Sequence, residues 1–112
     1  MWICLNTGFI SIVQDPRDDK LVWVRGRRPG DVEAFVGPNY RIIEMPKRDY
    51  RFRACVTKFE LSKMLAQCAD KISYTNFKNS VPLEDSILYS FYTEIWHKSI
   101  EYLDPTWSER HK

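Results

Sequence analysis

Seven basic side chains lie in two short segments of this 112-residue chain, at residues 24–31 and 46–54. An arginine guanidinium stays charged at any working pH and can donate two parallel hydrogen bonds to one phosphate or carboxylate. If the two segments form neighbouring strands, Arg25 and Arg53 share one face and form an anion-attracting patch. The sequence therefore predicts an anion- or partner-binding site. Its candidate residues are Arg25, Arg27, Arg28, Arg51 and Arg53.

Three interpretations of these arginines stay open. Acidic residues close in sequence, such as Asp31 and Glu44, would pair with the arginines on a solvated sheet face. Alternatively, the arginines bind an acidic protein surface or a nucleic acid. Base stacking needs aromatic side chains on the arginine-bearing face, and the alternation of residues 50–56 predicts that Tyr50 and Phe52 point inward instead. Trp23 has the same parity as Arg25, which keeps the nucleic-acid interpretation open.

Catalytic groups are sparse in the sequence. The histidines, His97 and His111, lie in a polar part of the last helix and in the tail. The glycines form no phosphate-binding loop, and the Cys and His residues have no metal-binding spacing. We therefore predict a protein that is not an enzyme and has no cofactor or metal. The alternative of a small hydrolase or nuclease would require His97 to meet a carboxylate or a cysteine in a cleft.

The predicted C-terminal helix has too wide an apolar surface for a helix packed on one core. Its apolar residues cover an arc of about 220° at 100° per residue, whereas a stripe of little more than about 100° suffices. The extra aromatic residues either pack internally or form a surface for a protein partner or for self-association as a homodimer. The candidate residues for such a surface are Tyr89, Tyr92, Trp96 and Ile100.

The elements that position these residues follow from periodicity. Strand-like alternation in the first half predicts a hairpin or a bulged strand over residues 2–14, further strands, and one short helix with Asp31 as N-cap and Gly37 as its stop. From Thr57 the period becomes 3.6, with Thr57 and Glu60 as a capping box. The apolar stripe of this helix is predicted to run from Phe59 to Ile72, and Pro82 is predicted to begin the last helix.

The element order β-β-β-α-β-β-α-α predicts an α+β fold. We expect an antiparallel sheet of four to five strands in the first half, with two longer C-terminal helices packed on one face. Residues 1–104 are predicted to form a single domain, and residues 105–112 a polar tail.

Composition indicates a folded protein in a reducing compartment. Hydrophobic residues make up 44% of the chain and the net charge is +2, too mild to indicate nucleic acid by itself. Three cysteines without a C-x-x-C pair are predicted to be buried reduced thiols. Because we find no signal-peptide pattern and no apolar run of roughly 20 residues, we expect a cytoplasmic protein that does not bind membranes.

Several short boxes in order resemble a family of small bacterial and phage proteins to which no activity is attached. They are the opening "MW", the pattern "N-x-GF-x-S-x-V" from Asn6 to Val13, "VRGRRPGD", "DYRFRA" and "NFK". The resemblance spans about residues 1 to 100. It implies a cytoplasmic single-domain protein and adds no mechanism, but it gives more weight to Arg25, Arg51, Arg53, Asn76 and Lys78.

The sequence thus favours a non-catalytic module for protein–protein interaction. A concrete form is a phage- or mobile-element-type inhibitor or adaptor that presents its C-terminal aromatic helix or its arginines to a bacterial protein. The alternative is a nucleic-acid-binding protein that uses an arginine-rich sheet face.

Overall fold

The computed structural model describes residues 1–110, apart from the side chain of Ser108. The chain divides into two compact units, Met1–Thr75 and a second that begins at Asn76. A five-stranded antiparallel sheet lies in the first half of the chain, and two longer helices follow it, so the predicted α+β fold is confirmed. Within residues 1–110, we find no helix with the length and apolar character that a membrane crossing requires.

The sheet has the order β1-β2-β3-β5-β4, and all neighbouring strands are antiparallel. Leu5 pairs with Gly8, so a two-residue turn joins the first two strands as a hairpin rather than as one bulged strand. The strand expected around residues 40–45 has only two residues and forms one edge of the sheet. The strands are β1 Trp2–Leu5, β2 Gly8–Gln14, β3 Leu21–Gly26, β4 Ile43–Glu44 and β5 Phe52–Thr57.

The core of the first unit lies between one sheet face and two helices. Alternate residues of the three central strands point to the same side, where they pack against α1 (Asp31–Val36) and α2 (Lys58–Asp70). Both helices of this unit therefore cover the same face. The buried core residues are Ile10, Ile12, Val22, Val24, Val32, Phe35, Val36, Ala54, Val56, Leu61 and Met64.

The capping box at the start of α2 is confirmed. The Thr57 hydroxyl accepts a hydrogen bond from the Glu60 N–H, and the Glu60 carboxylate accepts one from the Thr57 N–H. Tyr40 also donates its hydroxyl proton to Glu60, with 2.5 Å between the oxygens, and this bond lowers the pKa of the Glu60 carboxyl from its usual value. The predicted stripe was wrong at both ends, because Phe59 and Ile72 are exposed and α2 ends at Asp70.

Asp31 does not cap α1 as predicted, because Gly30 occupies the N-cap position with a φ of 93° and Asp31 is the first helical residue. Its buried carboxylate instead accepts a hydrogen bond from the Phe9 N–H at 3.2 Å and forms an ion pair with Arg28 at 3.1 Å. Asp31 therefore joins the turn between β1 and β2 to the start of α1. Gly37 does end the helix, as predicted.

The second unit contains a short 3-10 turn, Lys78–Ser80, followed by α3 (Ser86–Leu103) and α4 (Trp107–Arg110). The prediction that Pro82 begins α3 was wrong, because the Asp85 side chain caps the helix by accepting a hydrogen bond from the Leu88 N–H. The boundary predicted between a domain and a tail at residues 104/105 stays a prediction. Within the predicted tail, residues 107–110 are helical.

Replacing Gly8 by alanine should destabilise the first unit. A Cβ atom at this position would lie 2.5 Å from Cγ of Asp31, so the buried carboxylate would have to move away from the Phe9 N–H and from Arg28. Overpacking of this kind costs about 1–3 kcal/mol. Urea denaturation of the Gly8→Ala variant, followed by circular dichroism, measures the change in the free energy of unfolding.

The matched control is Thr7→Ala, an exposed residue in the same turn. We expect its free energy of unfolding to stay within about 0.5 kcal/mol of the parent protein. Equal stability of the two variants would contradict the role given to the Gly8–Asp31 contact.

Candidate anion-binding face

We call the sheet face opposite α1 and α2 the arginine face. Strand register places five residues in one row across this face, from edge to edge. Arg25 and Arg53 are direct cross-strand partners in the row, so the prediction that they share a face is confirmed. In strand order, the row is Trp2, Ser11, Arg25, Arg53 and Ile43.

Arg25 is held on this face by two neighbours. Its Nη2 donates a hydrogen bond of 2.8 Å to the hydroxyl of Ser11, a side chain that is 1% exposed. Its guanidinium carbon also lies 4.4 Å from the ring centroid of Tyr50, within the range of a cation–π interaction. Its Nε is buried and has no hydrogen-bond partner among the described residues. The Arg25 side chain is thus positioned by a hydroxyl and a ring rather than by a carboxylate.

Tyr50 brings three arginines together. The Arg27 guanidinium lies 4.5 Å from the same ring centroid, and the Arg53 Nε donates a hydrogen bond to the Tyr50 carbonyl oxygen at 3.2 Å. Tyr50 is buried, as predicted, with 5% of its surface exposed. Because it precedes β5, its ring lies against the guanidiniums of Arg25 and Arg27 and does not follow the alternation of the strand. We refer to Arg25, Arg27 and Arg53 as the arginine cluster.

The other two candidate arginines are neutralised locally. Arg28 pairs with Asp31, and Arg51 pairs with Glu44 at 2.6 Å. Pairing to local acids therefore describes Arg28 and Arg51. Within residues 1–110, no ion pair joins a member of the arginine cluster to a carboxylate.

Arg53 lies near other positively charged side chains. Its burial, together with the positive charges of Arg25 and Arg48, lowers the pKa of its guanidinium, and the nearby charge of Asp49 only partly opposes this. Like charges placed directly opposite each other on neighbouring strands destabilise a sheet. An anion bound among these guanidiniums would relieve that repulsion.

Aromatic side chains accompany the arginines on the same face. Trp2 is 73% exposed and lies in the same row as the arginines, and the ring of Phe9 meets it edge-on with centroids 6.0 Å apart. Trp23 is half-buried and donates its indole N–H to Asp15 at 2.8 Å, which fixes the ring. We did not predict Trp2, Phe9 or Ser11 as site residues from the sequence. The signal that could have revealed them is the turn: a two-residue turn at Asn6 and Thr7 sets the strand register that pairs Trp2 with Ser11.

The thiols were predicted to be buried, but Cys4 is exposed, while Cys55 and Cys68 are half-buried. Partial desolvation of the sulfur atoms raises the pKa of all three thiols, so the thiolate form is disfavoured even at Cys4, where the residue as a whole is exposed. No two of these cysteines form a disulfide.

His97 lies exposed on α3 with its ring against Trp96. In the described part of the chain, no hydrogen bond or ion pair joins it to a carboxylate or cysteine. His111 lies outside the described residues. Among residues 1–110 there is also no group of three or more His, Cys, Asp or Glu side chains arranged to hold a metal ion.

The candidate residues of α3 do not form one surface. Tyr89 and Trp96 are 40% and 46% exposed, and the Lys78 ammonium lies 5.5 Å and 5.4 Å from their ring centroids. Tyr92 is buried, with the ring of Phe77 5.2 Å away, and Ile100 is half-buried. Internal packing therefore accounts for Tyr92, whereas Tyr89 and Trp96 remain accessible.

No family model, curated protein or solved structure matches this chain. The resemblance to small bacterial and phage proteins stays a prediction.

Replacing Ser11 by alanine should lower the free energy of unfolding, although the change removes only one oxygen atom. The guanidinium of Arg25 would lose its acceptor while its Nε already lacks one, and an unsatisfied polar group costs about 1–3 kcal/mol. Thermal and urea unfolding of Ser11→Ala measure this loss. Ser73→Ala, at an exposed position, is the control and should match the parent protein. An unchanged stability of Ser11→Ala would show that Ser11 does not hold Arg25.

Proposed function

We propose that this protein is a non-catalytic binding module whose arginine face binds single-stranded nucleic acid. One observation carries the proposal: three guanidiniums that have no carboxylate partner among residues 1–110 contact Tyr50, on the same sheet face as the exposed ring of Trp2. This combination supplies both contacts that such a ligand needs, since arginines bind phosphates and aromatic rings stack on bases.

The position of the aromatic residues supports nucleic acid among the interpretations left open by the sequence. The objection to nucleic acid was that the aromatic residues near the arginines point inward. Trp2 and Phe9 lie on the arginine face, so that objection no longer applies. A single strand fits better than a duplex because its unpaired bases are free to stack on an exposed ring.

An acidic protein surface on the same face is the second candidate. It is favoured by the absence of carboxylate partners for the arginine cluster in the described part of the chain. This candidate preserves the interpretation as a protein-binding inhibitor or adaptor in a bacterial cytoplasm. This candidate gives no role to Trp2, although exposing its apolar ring to water is unfavourable in the free protein.

Fluorescence anisotropy with a labelled oligothymidylate of about 12 nucleotides tests the proposal. Affinity should fall as salt rises, because bound phosphates release counterions, with a slope that decreases by about 0.7 for each phosphate contact removed. Arg27→Ala and Arg53→Ala should each weaken binding and reduce that slope. Trp2→Ala should cost about 1–3 kcal/mol of binding energy and leave the slope unchanged.

The control is Arg17→Ala, which removes an exposed arginine from the turn between β2 and β3. It should bind almost as well as the parent protein. Absence of binding at low salt, or an affinity that salt does not change, would refute phosphate recognition. If the protein binds polyglutamate but not the oligonucleotide, and Arg53→Ala abolishes that binding, the result would favour the acidic protein partner.

A further inference from the structure

A second apolar surface lies on α3, next to the side chains that the second unit buries. At 100° per residue, Leu88 and Tyr92 point to one side of the helix, and both are buried. Exposed apolar side chains lie on the adjoining side, centred about 75° away, at spacings of four, four and seven residues. This exposed seam consists of Ile87, Phe91, Ile95 and Tyr102.

The seam has the length and composition of a helix-pairing surface. From Ile87 to Tyr102 it extends about 22 Å at 1.5 Å per residue. Ile87 is 74% exposed and Tyr102 is 87% exposed. Phe91, Ile95 and Tyr102, together with Glu94, Lys98 and Ser99, line a shallow open groove of about 500 Å³. Apolar residues at these spacings are typical of a helix that packs against a second helix.

We propose that α3 pairs with α3 of a second copy of this chain in an antiparallel dimer. The charges beside the seam favour this occupant. The Lys98 side chain is 79% exposed and pairs with Glu101 of the same helix at 3.2 Å, so its outer side stays open to a carboxylate of a second copy.

In an antiparallel pair with its two-fold axis near residue 96, Glu94 of each copy faces Lys98 of the other, and Phe91 faces Tyr102. In a parallel pair, Glu94 and Lys98 would instead face the opposite side of the partner's seam, where Ser99 lies and α3 has no charged residue. The same patch is thus self-complementary in the antiparallel arrangement only, as a two-fold interface requires.

This inference does not depend on nucleic-acid binding, since it concerns a different unit and needs no ligand. Sedimentation velocity of the full chain, over a concentration series from micromolar to millimolar, gives the dissociation constant of the dimer. Ile95→Glu should raise that constant at least about tenfold, because it places a charge in the apolar seam. Ile72→Glu, the same change at an exposed apolar residue of the first unit, is the matched control and should not change it.

Charge reversal tests the antiparallel geometry. Glu94→Lys alone creates two repulsive pairs in the homodimer, as does Lys98→Glu alone, so each should weaken dimerisation about tenfold. An equimolar mixture of the two variants should dimerise like the parent protein, because every facing pair is then opposite in charge. Circular dichroism of each variant checks that α3 remains helical.

A parent protein that stays monomeric throughout the series would overturn the dimer. Single variants that dimerise as well as the parent protein would overturn the antiparallel arrangement, as would a mixture that fails to recover dimerisation.

Discussion

The contact of Tyr50 with the arginine cluster is the interaction on which the candidate site depends. Arg25 and Arg53 face each other across two paired strands, an arrangement that costs stability in an ordinary sheet. The ring and carbonyl of Tyr50 offset this repulsion without neutralising the charge, since a cation–π contact and a hydrogen bond leave each guanidinium positive. A carboxylate in the same place would hold the arginines equally well and remove their attraction for an anion.

The two helices of the first unit do not cover the arginine face. Both helices of the unit pack on the other side of the sheet, so its apolar core is complete without the arginine face. Asp31 ties the turn between β1 and β2 to α1 and thereby holds the hairpin that carries Trp2 and Ser11. Local acids neutralise Arg28 and Arg51. The arginines are therefore divided between a structural role and a role in binding, according to whether a carboxylate lies beside them.

The sequence predicted the elements of the fold better than their ends. Alternation and the Thr57–Glu60 capping box are local signals, and both were confirmed. The start of α3 was misplaced, because Pro82 and Asp85 both suit a helix start and only the carboxylate of Asp85 caps the helix here. Asp31 was misjudged for a related reason. Its carboxylate accepts a hydrogen bond from the backbone N–H of Phe9, which is distant in sequence and therefore outside the reach of a local capping rule.

The candidate site was only partly predictable. The alternation of side chains along the strands predicted that Arg25 and Arg53 share a face if their strands are neighbours. In the structure the two residues are cross-strand partners. Tyr50 is buried as predicted, but it precedes β5, so periodicity did not predict that its ring contacts Arg25 and Arg27. A surplus apolar arc on α3 was predicted, but periodicity alone does not separate buried Tyr92 from exposed Ile87 within it. That distinction depends on which residues outside the helix lie against it, as Phe77 lies against Tyr92.

We propose that the arginine face, rather than α3, contacts the ligand. A titration of ¹⁵N-labelled protein with unlabelled oligothymidylate, followed by ¹H–¹⁵N correlation spectra, tests it directly. We expect the indole N–H signal of Trp2 and the amide signals of Ser11, Arg25 and Arg53 to shift together and to saturate at one stoichiometry. Shifts confined to residues of α3, or no shifts at low salt, would contradict it.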